Sequence, residues 1–321
     1  MNILIIKLGA LGDIVMATPL IEAIQRFHAN DKVHLLTAAP FEAIFRPWQG
    51  LHVSIHPRRG ALNLAHTSRW IRRLKCARIY DLQGSDRSGL MCALSGARIR
   101  VGNHPRFPYT HHPSDGWTGQ SHIFKRMITV LAAADVNEVA NAPTIPVSRQ
   151  EQSMVEQWSA TNSLIAGTFV LLHAGTSDSR PEKRWPYFEQ LGRRLATAGL
   201  QPVWIGAGQD GILNRQLKAT AGGLDATDAF SIPALAEFAR HARFAVTNDS
   251  GPMHVLSASR IPVFGLFGPS NWRRNHAIGQ IDNVIAGVEC LPRYRGEKTE
   301  DCLEQISCDM VWERLALARL V

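Results

Sequence analysis

Asn2-Ile-Leu-Ile-Ile6-Lys7-Leu-Gly-Ala-Leu-Gly-Asp13 stands near the start of the chain, and the fold class follows from it. Residues 3–6 are a short apolar run, which predicts a buried strand. The run passes directly into Lys7-Leu8-Gly9-Ala10-Leu11-Gly12-Asp13, a loop punctuated by two glycines. Open α/β sheets bind ligands beyond the carboxyl ends of their strands, so this loop belongs at a ligand site. It is not a dinucleotide fingerprint: the G-x-G-x-x-G spacing is absent, and a carboxylate stands where a pyrophosphate needs positive potential. Asp13 at a helix start has two readings, a residue favoured by the helix dipole or a general base. Thr18-Pro19 predicts an N-cap followed by proline at the first helical position, starting or restarting a helix that runs to about His28. A secretory leader does not fit, because Lys7 and Asp13 interrupt the apolar run and no small-residue cleavage site follows. No later window approaches the roughly 18 uninterrupted apolar residues of a membrane span, and the expectation is a cytoplasmic protein.

Short apolar runs continue to alternate with amphipathic stretches, the pattern of a parallel sheet covered by helices. Further strands are predicted at 33–37, 53–55 and 78–82. Residues 137–148, with Pro143 and Pro146, predict a linker. The pattern then restarts with a helix around 150–158, a strand at 169–173, a helix after Trp185-Pro186, and strands at 202–205, 244–247 and 262–267. Two such halves predict an α/β protein of two Rossmann-like domains facing a central cleft, 1–148 and 149–321. A length of 321 residues with 45% apolar and 19% charged residues suits that plan and excludes disorder and coiled coil. Cys76, Cys92, Cys290, Cys302 and Cys308 form no CxxC pair, which excludes a dense disulfide framework and the usual structural zinc spacing. Reduced thiols packed in the core are the simpler reading.

The net charge of +8 is unevenly placed: residues 1–150 carry 18 Lys and Arg against 9 Asp and Glu, and residues 151–321 carry 17 against 18. Arg58, Arg59, Arg69, Arg72, Arg73, Lys75 and Arg78, with Trp70 among them, form the main concentration. Such a patch attracts nucleic acid, acidic lipid or a phosphorylated glycan, or is a solvated helix face.

In the second half, His173-Ala-Gly-Thr176-Ser177 through Lys183-Arg-Trp-Pro186 places small hydroxyl residues and then cations after a strand. That chemistry suits phosphate, although an exposed loop before a helix would read the same way. Asn248-Asp249-Ser250-Gly251-Pro252-Met253-His254 ends a strand and opens a helix whose first N–H groups lack partners, donors fit for a diphosphate. His254 contacts the phosphate or sugar, or is structural. Ile261 to Phe267 and then Gly268-Pro269-Ser270 repeat the strand-then-small-loop arrangement. There is no Asp-x-Asp, HExxH, Walker lysine loop or GxSxG elbow, so a diphosphate leaving group must be stabilised by helix N-termini and cations.

Taken together, these segments resemble the ADP-heptose:lipopolysaccharide heptosyltransferases of glycosyltransferase family 9, in order and spacing and over nearly the whole chain. The resemblance implies a GT-B fold, whose last helix packs back on the first domain. It also implies an inverting, metal-independent and cofactor-free transfer of heptose from ADP-heptose to the lipopolysaccharide inner core. By position Asp13 would be the general base, with Lys183 stabilising the leaving group. Thr176, Ser177 and Lys183 would hold the donor phosphates, and Asp249, Ser250, Gly251 and His254 would complete the donor site. Asp210 stands in for a ribose-binding Glu, and Phe230 for a Met that packs on adenine. Gly9, Arg58, Arg59, Gln83, Arg87 and Arg106 are the acceptor-side candidates. The implied partners are ADP-heptose, the anionic inner-core acceptor and, peripherally, the cytoplasmic face of the inner membrane, with Trp70 as the lipid contact and no nucleic acid. Competing readings are a transferase with another nucleotide sugar or glycan acceptor, and a non-enzymatic nucleotide- or nucleic-acid-binding protein.

Overall fold

The computed structural model describes residues 1–57, 59–115, 121–177, 179–287 and 302–321. They fall into two units, Met1–Pro146 and Val147–Val321, divided inside the proline-bearing segment.

The first unit is built on β1 (Asn2–Ile6), α1 (Leu11–Phe27), β2 (Lys32–Thr37), α2 (Glu42–Phe45), β3 (Leu51–Ile55), α3 (Ala61–Leu74), β4 (Arg78–Asp81), α4 (Asp86–Leu94), β5 (Ile99–Val101) and α5 (Ile123–Ala132). Its five strands are all parallel, in the order β3-β2-β1-β4-β5. β1 is the middle strand, which is why residues 3–6 are apolar without alternation. Trp70, expected at a lipid surface, is part-buried against a core of Leu4, Ile6, Ile71 and Ile79, its ring 4.7 Å from that of His56. α3 turns this side of itself inward.

α1 starts at Leu11, not at Thr18-Pro19, so Pro19 lies inside the helix. A helical proline leaves the carbonyl four residues back without its N–H donor. Here that carbonyl belongs to Val15, and the Thr18 hydroxyl donates to it at 2.8 Å. The Thr18 hydroxyl oxygen in turn accepts the Thr144 N–H at 2.9 Å. The pair that reads as a cap is therefore a repair within a continuous helix.

The second unit comprises α6 (Arg149–Thr161), β6 (Phe169–His173), α7 (Phe188–Thr197), β7 (Gln201–Gly206), α8 (Gly211–Ala221), β8 (Leu224–Thr227), α9 (Ile232–Ala239), β9 (Ala245–Asn248), α10 (Gly251–Ser257), β10 (Val263–Phe267), α11 (Trp272–Asn275), β11 (Val284–Ala286) and α12 (Cys308–Leu317). Its parallel sheet runs β11-β10-β9-β6-β7-β8. One face packs Trp185, Phe188, Leu191 and Trp204; the other packs Phe169, Phe238, Met253 and Phe267. Truncating one such aromatic costs about 3–5 kcal/mol. Gly192 makes room for Trp204, since a Cβ there would lie 2.7 Å from the indole.

α12 buries one side in the core of the second unit. Cys308, Val311 and Leu315 lie in the same core as Trp185, whose Nε1 donates to the Ile306 carbonyl at 2.7 Å. Cys76, Cys92 and Cys308 are free and buried. Cys302 is disulfide-bonded, which corrects the expectation of a core thiol; pairing depends on how the chain folds back and cannot be read from spacing. Cys290 lies outside the described residues. Among the described residues, no helix is long and apolar enough to cross a membrane.

Candidate functional site

In the first unit, the loop after β1 is fixed by a chain of contacts from the end of β4. Asp81, 1% exposed, accepts the Gln83 and Gly84 N–H groups, each at 3.0 Å, and the Tyr109 hydroxyl at 2.5 Å. Burial pushes its carboxyl pKa up, opposed by the Tyr109 hydroxyl and the Gly84 N–H. The turn so formed presents Gln83, whose Oε1 accepts the Leu8 N–H at 2.8 Å. Next in the loop is Gly9, whose φ of 135° only glycine adopts readily. Asp13 follows in the first turn of α1, partly exposed, with a long 3.4 Å contact from the Ala10 N–H to Oδ2. That contact is too weak to occupy the carboxylate.

Lys7, to which the sequence analysis gave no role, is the buried amine of this loop. It is 3% exposed and donates from Nζ to the Leu82 carbonyl at 2.9 Å. Burial pushes its pKa below the usual lysine range, while Asp13 and then Asp81 pull it back up. A lysine that directly continues a doubly buried strand was the signal available.

Arg59 lines a cavity of about 690 Å³ beyond the ends of β2 and β3, together with Ala38, Pro40, Ile55 and His56. Arg87 donates from Nη1 to the Gly60 carbonyl at 3.1 Å, but its Nε and Nη2 are buried without a hydrogen-bond partner among the described residues. Arg106 is exposed on the loop after β5. Arg58 lies outside the described residues.

In the second unit, the ends of β6, β7, β9 and β10 bring together most of the residues named from its motifs. Lys183 Nζ lies 2.6 Å from Asp249 Oδ2, the two side chains 18% and 8% exposed. Ser270 donates its hydroxyl to the same carboxylate oxygen at 2.5 Å. Thr176 is buried and its hydroxyl has no hydrogen-bond partner among the described residues. Ser177 is exposed, 3.3 Å from the Ser179 hydroxyl. Ser250 caps α10 from its extended backbone, its Oγ 3.1 Å from His173 Nδ1, and Gly251 and buried His254 follow in that helix.

Asn248 ties these loops into one surface. Fully buried, it accepts the Trp185 N–H through Oδ1 at 3.0 Å and donates through Nδ2 to the Ala174 and Gly175 carbonyls at 2.9 and 3.2 Å. Such an amide is over-determined, since both its donor and acceptor ends are used. The result is a set of hydroxyls with the Lys183–Asp249 pair beyond the strand ends, the place where open α/β sheets bind ligands.

Residues 66–304, well over half of the chain, match the family model described as glycosyltransferase family 9 (heptosyltransferase). The chain belongs to glycosyltransferase family 9. A curated relative, lipopolysaccharide heptosyltransferase 2 of Salmonella typhimurium, is 29% identical over 150 residues, 44% of this chain and 42% of the relative. The chain thus matches less than half of that relative's length. Among solved structures, a family 9 glycosyl transferase from Veillonella parvula superposes with a TM-score of 0.83 at 20% identity, covering 98% of this chain and 96% of that one. The ADP-heptose lps heptosyltransferase II of E. coli superposes with a TM-score of 0.76 at 22% identity, covering 100% and 98%. These likenesses carry the fold, a GT-B pairing of two parallel-sheet units.

Asp210 and Phe230, the remaining donor-side candidates of this family 9 chain, are both held by neighbouring side chains. Asp210 is 4% exposed, accepts the Ala207 N–H at 3.0 Å and lies 3.7 Å from His173 Nε2. Burial pushes its carboxyl up, but His173, the Ala207 N–H and Arg184 outweigh burial and hold it below the usual carboxylate range. Phe230 is half-buried, stacked on Phe238 at 4.6 Å and edge-on to Trp158 at 5.1 Å.

Proposed function

We propose that this chain is an inverting, metal-independent heptosyltransferase that moves heptose from ADP-heptose to the inner core of a lipopolysaccharide acceptor. The observation that carries the reading is the Lys183–Asp249 pair set among Thr176, Ser177 and Ser250 in a family 9 chain. One end of that surface suits a diphosphate and the other a polyhydroxylated sugar.

In this reading the acceptor hydroxyl loses its proton to the Asp13 carboxylate as its oxygen attacks the anomeric carbon. The bond from that carbon to the ADP oxygen breaks, and ADP leaves with the bonding pair. Lys183, the hydroxyls of Thr176 and Ser177 and the N–H groups at Ser250 and Gly251 take up the developing charge. Asp249 and His254 hold the heptose, and Phe230 offers adenine the part of its ring left open by Phe238. Asp210 acts through His173, which it fixes beside Ser250, and not by touching ribose.

On the acceptor side Gly9 lets the backbone approach closely, and Arg59, Gln83, Arg87 and Arg106 receive the anionic glycan, Arg58 completing the set from outside the described residues. Support comes from Arg87, two of whose nitrogens are buried with no hydrogen-bond partner among the described residues and so are placed to meet an anion. A peripheral contact with the cytoplasmic face of the inner membrane belongs to the same proposal. Residues 51–100 hold ten Lys and Arg against two Asp and Glu. Leu62, 87% exposed, and Phe107, 78% exposed, supply the apolar contact that Trp70 does not.

The test is transfer from ADP-heptose to heptose-deficient lipopolysaccharide in EDTA, read by ADP release and product mass. The proposal expects a product heavier by one heptose. ADP release with other nucleotide sugars but none with ADP-heptose would move the assignment to another donor, and loss of transfer in EDTA would refute metal independence.

A further inference from the structure

We infer that Ser270 is a positioning residue for the donor sugar: its hydroxyl keeps the Asp249 carboxylate in place when Lys183 turns to the departing diphosphate. The inference rests on the reading of this surface as an ADP-sugar site.

Asp249 Oδ2 receives two donors, Lys183 Nζ at 2.6 Å and the Ser270 hydroxyl at 2.5 Å. The backbone of Asp249 is itself fixed, its N–H donating to the Leu266 carbonyl at 3.2 Å. The Ser270 loop is pinned at both ends. On one side Gly268 lies against Leu303 so closely that a Cβ would stand 2.7 Å from Leu303 Cγ; on the other, Asn271 caps α11 by accepting the Arg273 N–H at 3.1 Å. The position of the Ser270 hydroxyl is thus dictated by β10 and α11 and not by Lys183.

The two donors differ in what they can do next. Lys183 has a flexible stem and a full charge, so a diphosphate competes with Asp249 for it. A carboxylate abandoned by its cation would be free to rotate and would repel the incoming phosphates. A neutral hydroxyl on a rigid loop holds that carboxylate without drawing on the charge the phosphates need. Ser270 therefore acts on the sugar through Asp249, and ADP alone does not depend on it.

The experiment compares wild type, Ser270→Ala and Ser270→Thr in calorimetric binding of ADP and of ADP-heptose and in steady-state transfer. Expected for Ser270→Ala is ADP affinity within about threefold of wild type and kcat/KM for ADP-heptose lower by about tenfold or more, the usual size for a hydrogen bond to a charged group. Ser270→Thr restores most of it. If the alanine variant does not fold, Ser270→Cys, similar in size and a weak donor, gives the same comparison. Wild-type kinetics in Ser270→Ala, or an equal fall in ADP and ADP-heptose affinity, would overturn the inference and leave the donor site standing. Failure of the wild type to bind either nucleotide would overturn both.

Discussion

Thr18 shows how much one hydroxyl can settle. It supplies the donor that Pro19 withholds from Val15 and accepts an N–H from Thr144. Replacing it by the isosteric valine orphans both groups, and Thr18→Val is expected to lose about 1–3 kcal/mol in urea unfolding, most of it recovered in Thr18→Ser. At this scale the motifs around Asp13, Thr176, Lys183 and Asp249 could be read from the sequence, because each lies in a short run of telling residue types. Lys7, His173, Asn248 and Ser270 gain their roles from partners far along the chain: Asn248 meets Trp185 and Ala174, and Ser250 meets His173. Their motifs mark the strand ends on which they stand, and Lys7 shows as a charge continuing a buried strand, but the partner each one meets does not show in local sequence.

Among the elements, the long buried strands were legible and the short outer ones were not. β5, β8 and β11 escaped the sequence reading, and each is three or four residues long at the edge of its sheet. β5 (Ile-Arg-Val) and β8 (Leu-Asp-Ala-Thr) mix polar with apolar residues, as half-buried edge strands do, and β11 (Val-Ile-Ala) is apolar but only three residues long. α1 misled in the opposite way, since Thr-Pro carries the signature of a start even where the helix continues. Close approach between loops is equally silent in sequence. Gly175, after β6, faces Asp210 at the end of β7 so tightly that a Cβ would stand 2.0 Å from Oδ1. Gly175→Ala is expected to cost about 1–3 kcal/mol by overpacking and to weaken ADP binding more than tenfold, measured by thermal melting and calorimetry. An alanine variant with unchanged ADP affinity would separate this loop from the phosphate site.

Across the whole molecule, the two units differ in how they answer acid. His28, His34 and His56 all lie in the first unit, and burial above all holds each below the ordinary histidine pKa of 6.5. Between those lowered values and 6.5 the unfolded chain binds more protons than the folded one. Their contribution is therefore complete above pH 6.5 and is lost as pH falls through 6.5 toward the folded values. In the second unit Asp210 is held below 3.8, so its contribution persists until pH falls below 3.8. Hydrogen exchange at pH 7.5 and 5.5, corrected for intrinsic rates, is expected to show protection falling first in residues 1–146; equal loss in both units would contradict it. The excess positive charge also lies in the first half. Vesicles containing anionic lipid are expected to retain the protein at low salt and release it as salt rises, and Leu62→Ser with Phe107→Ser is expected to weaken that retention.

The central claim is that Asp13 removes the acceptor proton while the second unit binds the donor independently. Its most direct test is single-turnover transfer of heptose from ADP-heptose by Asp13→Asn, with ADP-heptose affinity measured on the same preparation. The account predicts transfer slower by about 10²–10⁴-fold with donor affinity within about threefold of wild type. Transfer at the wild-type rate, with donor bound equally well, would contradict it.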